Sequence, residues 1–341
     1  MKILYIGGTG NISFSSVELA IRQGLDIYLL NRGTSITETP EGAKTLAADI
    51  NNPYQVKALL KGHRFDVVVD WIAFKPEDVQ RDYELFKDIT GQYIFISSAS
   101  VYQKPPTHPL ITESTPLFNP FWDYSQNKIA CEELCNRLYR NHHFPVTIVR
   151  PSLTYRTVIP VSIGSWTDFT VIKRIREGKP VVVQGDGTSL WVNTHSDDFA
   201  KGFNGLLGHQ QAVGHSFHIT SDELLTWNQI YEAVGEAAGA APKIVHIPSD
   251  YICDFGDKTG LPWMRGNLLG DKSYSVIFDN TKIKTFVPGF VAGIPFREGI
   301  KRTIEWFDAD TRRIVINEEN NNFLDVVIKS YLNNISHGKR G

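Results

Sequence analysis

The sequence predicts a doubly wound parallel α/β sheet with a smaller C-terminal α/β region, and three observations point to it. Short continuous apolar runs recur through the first half: Ile3-Leu4-Tyr5-Ile6, Val67-Val68-Val69 and Tyr93-Ile94-Phe95-Ile96. Strands buried on both faces read this way, and such strands belong to parallel sheets wrapped by helices. Helical patterns are interleaved with these runs, the alternation of a doubly wound domain. The chain is also long enough, at 341 residues with 42% hydrophobic, to bury a large core in roughly two domains.

Taken in order, Ile3–Ile6 passes through a glycine-rich turn into the periodic segment Val17–Arg22. Asp26–Leu30 and Thr45–Ala48 read as the next strands, followed by a helix from Pro53 to Lys61. Asp66–Val69 and Tyr93–Ile96 continue the sheet, and a helix from about Trp122 to Arg140 leads to a strand at Val146–Val149. Residues 1–155 form the first domain of this reading. Residues 156–341 form mainly a second, with helices near Asp168–Arg176, Asp197–Leu207 and Trp227–Ala238 and segments crossing back to the first sheet. Glu318–Asn322 reads as a solvated turn before a last amphipathic helix.

Charge narrows the classes of partner. Thirty-five Lys+Arg against 37 Asp+Glu gives −2, so there is no basic footprint for nucleic acid or an anionic membrane. Three cysteines cannot build a disulfide framework and fit a reducing compartment. No apolar run approaches the roughly 18–20 residues needed to span a bilayer. The expectation is a cytoplasmic protein with a small-molecule partner.

The turn Gly7-Gly8-Thr9-Gly10-Asn11-Ile12-Ser13 joins the first strand to a helix. Glycines there let backbone N–H groups approach a pyrophosphate, and the helix N-terminus adds partial positive charge. Gly7, Thr9, Gly10, Asn11 and Ile12 are therefore candidate cofactor contacts. The second strand ends Asn31-Arg32 where an acid would grip the ribose of NAD, so the cofactor is NAD or NADP, with Arg32 favouring NADP. Asp49 and Ile50 follow the third strand, within reach of an adenine edge, although Asp49 could equally cap the helix near Pro53. Trp71 follows the fourth strand at the crevice edge, where it could pack along a cofactor or within the core.

Ser97-Ser98-Ala99-Ser100 ends the buried fifth strand, and strand carboxyl ends form the crevice of this fold. Tyr124 and Lys128 lie one helical turn apart on one face. A free tyrosine ionises near pH 10, so a phenolate base near pH 7 needs about 4 kcal/mol of help. One positive charge at about 4 Å, in an effective dielectric near 20, supplies about that much. Tyr124 and Lys128 are thus candidates both for catalysis and for cofactor binding, with Ser98 orienting a substrate oxygen.

Gly7-x-x-Gly10, Ser98 and Tyr124-x-x-x-Lys128 together resemble the extended short-chain dehydrogenase/reductases, the NAD-dependent epimerase/dehydratase branch. Arg150-Pro151, His195-Ser196-Asp197-Asp198, Asp279-Asn280-Thr281-Lys282 and Arg297-Glu298-Gly299-Ile300 carry the resemblance to about residue 307. It implies a Rossmann domain with a smaller substrate domain, a held NAD(P), and hydride chemistry on a sugar or nucleotide-sugar hydroxyl. It further implies Tyr124 as base, Lys128 lowering its pKa, and frequently a homodimer.

Departures sharpen this. Ser13 replaces the third glycine and is expected to crowd the packing of helix on strand. Trp191 stands where the branch's nucleotide-sugar epimerases carry a diphosphate-gripping arginine, and Leu268-Leu269 where a second is expected, leaving Arg265 nearest. Ser100, Trp191 and Arg265 are the candidate substrate contacts. Ala99-Ser100 replaces the Asp-Glu pair of 4,6-dehydratases, which disfavours dehydration. Cys131 and Cys135 read as buried helix-face thiols rather than metal ligands, and Asp197-Asp198 as a helix cap. The rival reading is a binding protein of the same fold that senses NAD(P)H or associates with RNA. Such proteins generally lose the Tyr or the Lys, and this chain keeps both.

Overall fold

The computed structural model describes residues 1–33, 39–164 and 166–338. Seven strands form one sheet in the order Ser216–Ile219, Val146–Pro151, Tyr93–Ile96, Val67–Asp70, Lys2–Ile6, Asp26–Asn31, Lys44–Ala47. Every pairing is parallel, with Lys2 opposite Asp26 and Ile3 opposite Val67. The central strands are the continuous apolar runs of the sequence, because both of their faces are covered. Leu4, Ile6, Val68 and Phe95 meet Val79, Phe86, Cys131 and Cys135 on one face. Ile3, Tyr5, Val69 and Ile94 meet Val17, Ala20, Phe199 and Phe203 on the other. Cys131 and Cys135 are free thiols buried in that first layer.

The seventh strand, Ser216–Ile219, comes from the second half of the chain. So does the helix Ser196–Asn204, which is fastened to the helix Ser13–Arg22 by Ser15 Oγ to Ser196 Oγ (2.8 Å) and Ser16 Oγ to Asn204 Oδ1 (2.7 Å). The remainder forms a second core around Trp191, Trp227, Tyr231 and Ile300. Short two-stranded pairs bound it, among them Leu153–Tyr155 with Asn193–His195 and Pro180–Gln184 with Lys243–Ile247.

Several local expectations are corrected. Glu318–Asn322 is not a turn but the start of the helix Glu318–Gly338. Asn317 accepts the Asn320 N–H (3.0 Å), and Glu318 and Glu319 sit in the first turn, where acids complement the helix dipole. The helix at Pro53 is capped by Asn52, which accepts from Gln55 N, whereas Asp49 accepts from Asn51 N in a local turn. His195, rather than either aspartate, caps the helix Ser196–Asn204; Asp198 instead accepts from the backbone of Ile294 (2.7 Å). Among the described residues no helix is long and apolar enough to cross a membrane.

Candidate active site

The carboxyl ends of the strands meet the glycine turn at one cavity of about 500 Å3. Gly7 turns with φ +79°, and a Cβ there would lie 2.6 Å from Ile72 Cγ2. Ser13 does not crowd this turn. Its hydroxyl accepts from Gly10 N (2.9 Å) and donates to Gly7 O (3.0 Å), closing the loop that a third glycine would leave open. The helix that follows begins at Ser13 with no side-chain cap and no acid in its first turn. Asn11, Ile12 and Ser13 line the cavity at that uncapped start, an arrangement suited to an anion. The Asn11 side chain is engaged elsewhere: Oδ1 accepts from Arg156 N (3.0 Å) and Thr157 N (3.2 Å), and Nδ2 donates to Thr154 O. Only its backbone is left to face a cofactor.

Beyond the second strand, Asn31 Oδ1 accepts from Gly33 N (3.1 Å), and Arg32 is exposed without an ion pair among the described residues. Ile50 is buried beside Asp49. Trp71 lines the cavity while its ring packs on Phe203. Its indole N–H and the Ser97 hydroxyl are buried without partners. Unsatisfied donors of this kind at a cavity wall, with the uncapped helix opposite, fit a bound dinucleotide.

At the other end the hydroxyls form a chain. Ser98 Oγ lies 2.9 Å from Ser100 Oγ, and Ser125 donates to Ser100 at 2.7 Å. Burial pushes the Tyr124 phenol above its usual value; a hydrogen bond from Ser98 draws it down and the Asp271 charge pushes it up. Lys128, one helical turn further on, is held by two backbone carbonyls. Its Nζ donates to Ala73 O and Ile96 O, both at 2.7 Å, and sits 5.9 Å from the Tyr124 ring centre. Burial outweighs what would draw the Tyr124 phenol down, so it is held above its usual value. Burial in turn lowers Lys128 to about 8.

The remaining wall is built where residues 119–122 meet the segment 266–271. Trp122 lies 5.0 Å from the Tyr124 ring and fits against Gly266 and Gly270, where a Cβ would come within 2.4 and 2.9 Å of it. Asn119 Nδ2 donates to both Ser100 O and Gly270 O at 2.7 Å, joining the hydroxyl chain to that wall. Asp271, the one carboxylate among the described lining residues, is 3.4 Å from the buried Lys272 ammonium. Lys272 lies over Trp166, which also lines the cavity.

Two proposed substrate contacts are misplaced. Trp191 is buried, stacked on Trp227 with ring centres 5.3 Å apart, because an apolar partner waits there. Arg265 faces outward, neutralised by Asp254 (2.8 Å) and Asp257 (2.6 Å). Neither lines the cavity, whereas Ser100 does. Asn119, Trp122, Ser125, Trp166 and Asp271 were missed. Ser125 alone carried a signal, as the neighbour of Tyr124.

A seven-stranded parallel sheet with a glycine turn and a Ser–Tyr–Lys cluster on one cavity defines a Rossmann-like α/β protein. The chain belongs to the NAD dependent epimerase/dehydratase family, whose sequence profile matches residues 3–220. It is 24% identical over 254 residues to 2′-dehydrokanamycin reductase of Streptomyces kanamyceticus, covering 74% of this chain and 71% of that one. It is 27% identical over 277 residues to the chloroplast stem-loop binding protein of 41 kDa b of Arabidopsis thaliana, covering 77% and 70%. In fold it is similar to UDP-glucuronic acid 4-epimerase from Bacillus cereus, solved with UDP-glucuronic acid and NAD. That likeness has a TM-score of 0.70 at 20% identity, over 91% of this chain and 99% of the other.

Proposed function

We propose that this protein is an NAD(P)-dependent epimerase or oxidoreductase acting at a hydroxyl-bearing carbon of a sugar-like substrate. The observation that carries the reading is the convergence of Ser98, Tyr124 and Lys128 on the cavity that begins at the glycine turn. The backbone of Gly7, Gly10, Asn11 and Ile12 would hold the pyrophosphate, with Trp71 along the wall. Bound NAD(P) would supply the hydride donor or acceptor. Tyr124 Oη moves the hydroxyl proton, and Ser98 donates to the substrate oxygen. Lys128 holds the cavity's positive charge while bracing the ends of two strands. Ala99-Ser100 supplies neither acid nor base, which argues against dehydration.

The similarity to a stem-loop binding protein favours one second reading, a binding protein that retains the fold. Turnover separates the two. With NAD(P)H and candidate keto-sugars as probes, Tyr124→Phe is expected to lower turnover by about 10²–10⁴-fold while nucleotide still binds. Turnover unchanged by that substitution would sink the catalytic reading.

A further inference from the structure

The fourth strand, Val67–Asp70, ends on a fully buried carboxylate next to the cavity rim. Asp70 Oδ1 accepts two backbone N–H groups of the loop that follows, Ile72 at 2.6 Å and Ala73 at 2.9 Å. Asp70 Oδ2 accepts no hydrogen bond among the described residues and faces Arg81 Nη2 at 3.7 Å. Arg81 also binds Asp78 Oδ1 (3.1 Å) and Asp82 Oδ1 (2.9 Å), and donates to Asn51 Oδ1 (2.8 Å). The other oxygen of Asp78 returns to the loop and accepts the Phe74 N–H at 2.9 Å. Ala73 is thus clamped on both sides: its own N–H goes to Asp70, and the next peptide, which carries its carbonyl, goes to Asp78. Bonds from N–H to an ionised carboxylate are among the stronger ones available to a loop.

That loop meets four parts of the site in four consecutive residues. Trp71 lines the cavity, and Ile72 occupies the space a Cβ on Gly7 would need. Ala73 O accepts from Lys128 Nζ at 2.7 Å, and the Phe74 ring centre lies 4.7 Å from the same ammonium. An ammonium has three N–H donors. Ala73 O and Ile96 O take two of them, so a ligand has only the third, aimed by wherever those carbonyls stand. Ile96 is fixed by its strand in the sheet. Ala73 belongs to no strand, and the two carboxylates hold it instead.

We propose that Asp70 and Asp78, tied together by Arg81, are positioning residues that set the Lys128 ammonium through the Ala73 carbonyl. Their bearing on turnover rests on the reading of Lys128 as part of the reacting cluster.

The test titrates Lys128 in the full chain labelled with ε-13C-lysine, its resonance identified by its loss in Lys128→Met. In wild type burial holds this lysine down at about 8, against the charges of Cys131, Asp70, Glu132 and Asp78, which hold it up. Removing either aspartate's charge therefore lowers Lys128, whereas releasing the loop hydrates it and raises it toward 10.5. Asparagine removes the charge and keeps the accepting oxygen; alanine removes both. Asp70→Asn and Asp78→Asn should titrate at or below wild type. Asp70→Ala and Asp78→Ala should titrate at least about one pH unit above their asparagine counterparts, a fraction of the 3–5 units that full burial can impose. Asp78, its side chain 15% exposed, gives the pair that folding confounds least. For Asp70, wild type supplies a second measurement: the Ala73 amide should be protected from hydrogen exchange. Alanine variants that titrate no higher than the asparagine ones, or rapid exchange of that amide, would overturn the assignment. Turnover unchanged by Lys128→Met would instead sink the reacting cluster, since the titration reads the lysine itself.

Discussion

The helix that carries Tyr124 and Lys128 is anchored by a buried ion pair, and removing one partner is a severe perturbation. Glu132 accepts from Arg150 Nε at 2.9 Å and from Nη2 at 2.6 Å. Arg150, on the strand Val146–Pro151, also donates to Tyr102 Oη (3.1 Å) and Glu113 O (3.3 Å). Burial works against the guanidinium charge, yet Glu132 more than offsets it and the arginine's pKa moves upward. Glu132 is fully buried and Arg150 is 4% exposed, so solvent cannot replace the lost partner. Glu132→Gln leaves the arginine uncompensated, at a cost of about 3–5 kcal/mol. At about 2 °C per kcal/mol for a chain of this size, the melting temperature should fall by about 6–10 °C. The double variant Glu132→Gln/Arg150→Met removes the orphaned charge and should recover most of that loss. Differential scanning calorimetry of the three proteins reads it directly. A single-variant loss under about 1 kcal/mol, or a double variant no better than Glu132→Gln, refutes the reasoning.

Ser13→Gly restores the third glycine but removes both hydroxyl bonds of the turn. It should cost about 1–2 kcal/mol in chemical denaturation without improving NAD(P) affinity. Asp271→Asn removes a charge that holds the Tyr124 phenol up. The pKa of that phenol should fall, shifting the corresponding limb of the pH–rate profile to lower pH. Lys128 is lowered to about 8 from 10.5. Between those pH values the unfolded chain binds the proton more tightly, so this group's contribution to stability rises with pH through that window. Lys128→Met should abolish that part of the rise in pH-dependent melting curves.

The parallel sheet was legible because its strands carry their burial in their own residues. Ile3–Ile6 and Val67–Val69 are apolar on both faces whatever surrounds them. The glycine turn was legible for a similar reason, since its geometry is local. What failed depended on partners distant in the chain. Trp191 looked like a pocket wall until Trp227 supplied a ring to stack on. Arg265 looked like a phosphate donor until the preceding helix brought Asp254 and Asp257 beside it. Lys128 has the right spacing for Tyr124, yet nothing in that spacing shows that its ammonium is held by the carbonyls of Ala73, beyond the fourth strand, and Ile96, the last residue of the fifth. Asp271 and Asn119 sit in segments with no periodic signal, and only the folded chain brings them to the hydroxyls.

The Asn119 amide has a mechanical consequence. One NH₂ group spans the Ser100 carbonyl, at the end of the sheet, and the Gly270 carbonyl, in the opposite wall. Asn119 is 2% exposed, so parting these walls would break one of the two bonds and strand a buried carbonyl. Opening the cavity along this seam therefore costs a buried hydrogen bond, whereas the rim at Ile72 and Phe74, 39% and 49% exposed, carries no such tie to the opposite wall among the described residues.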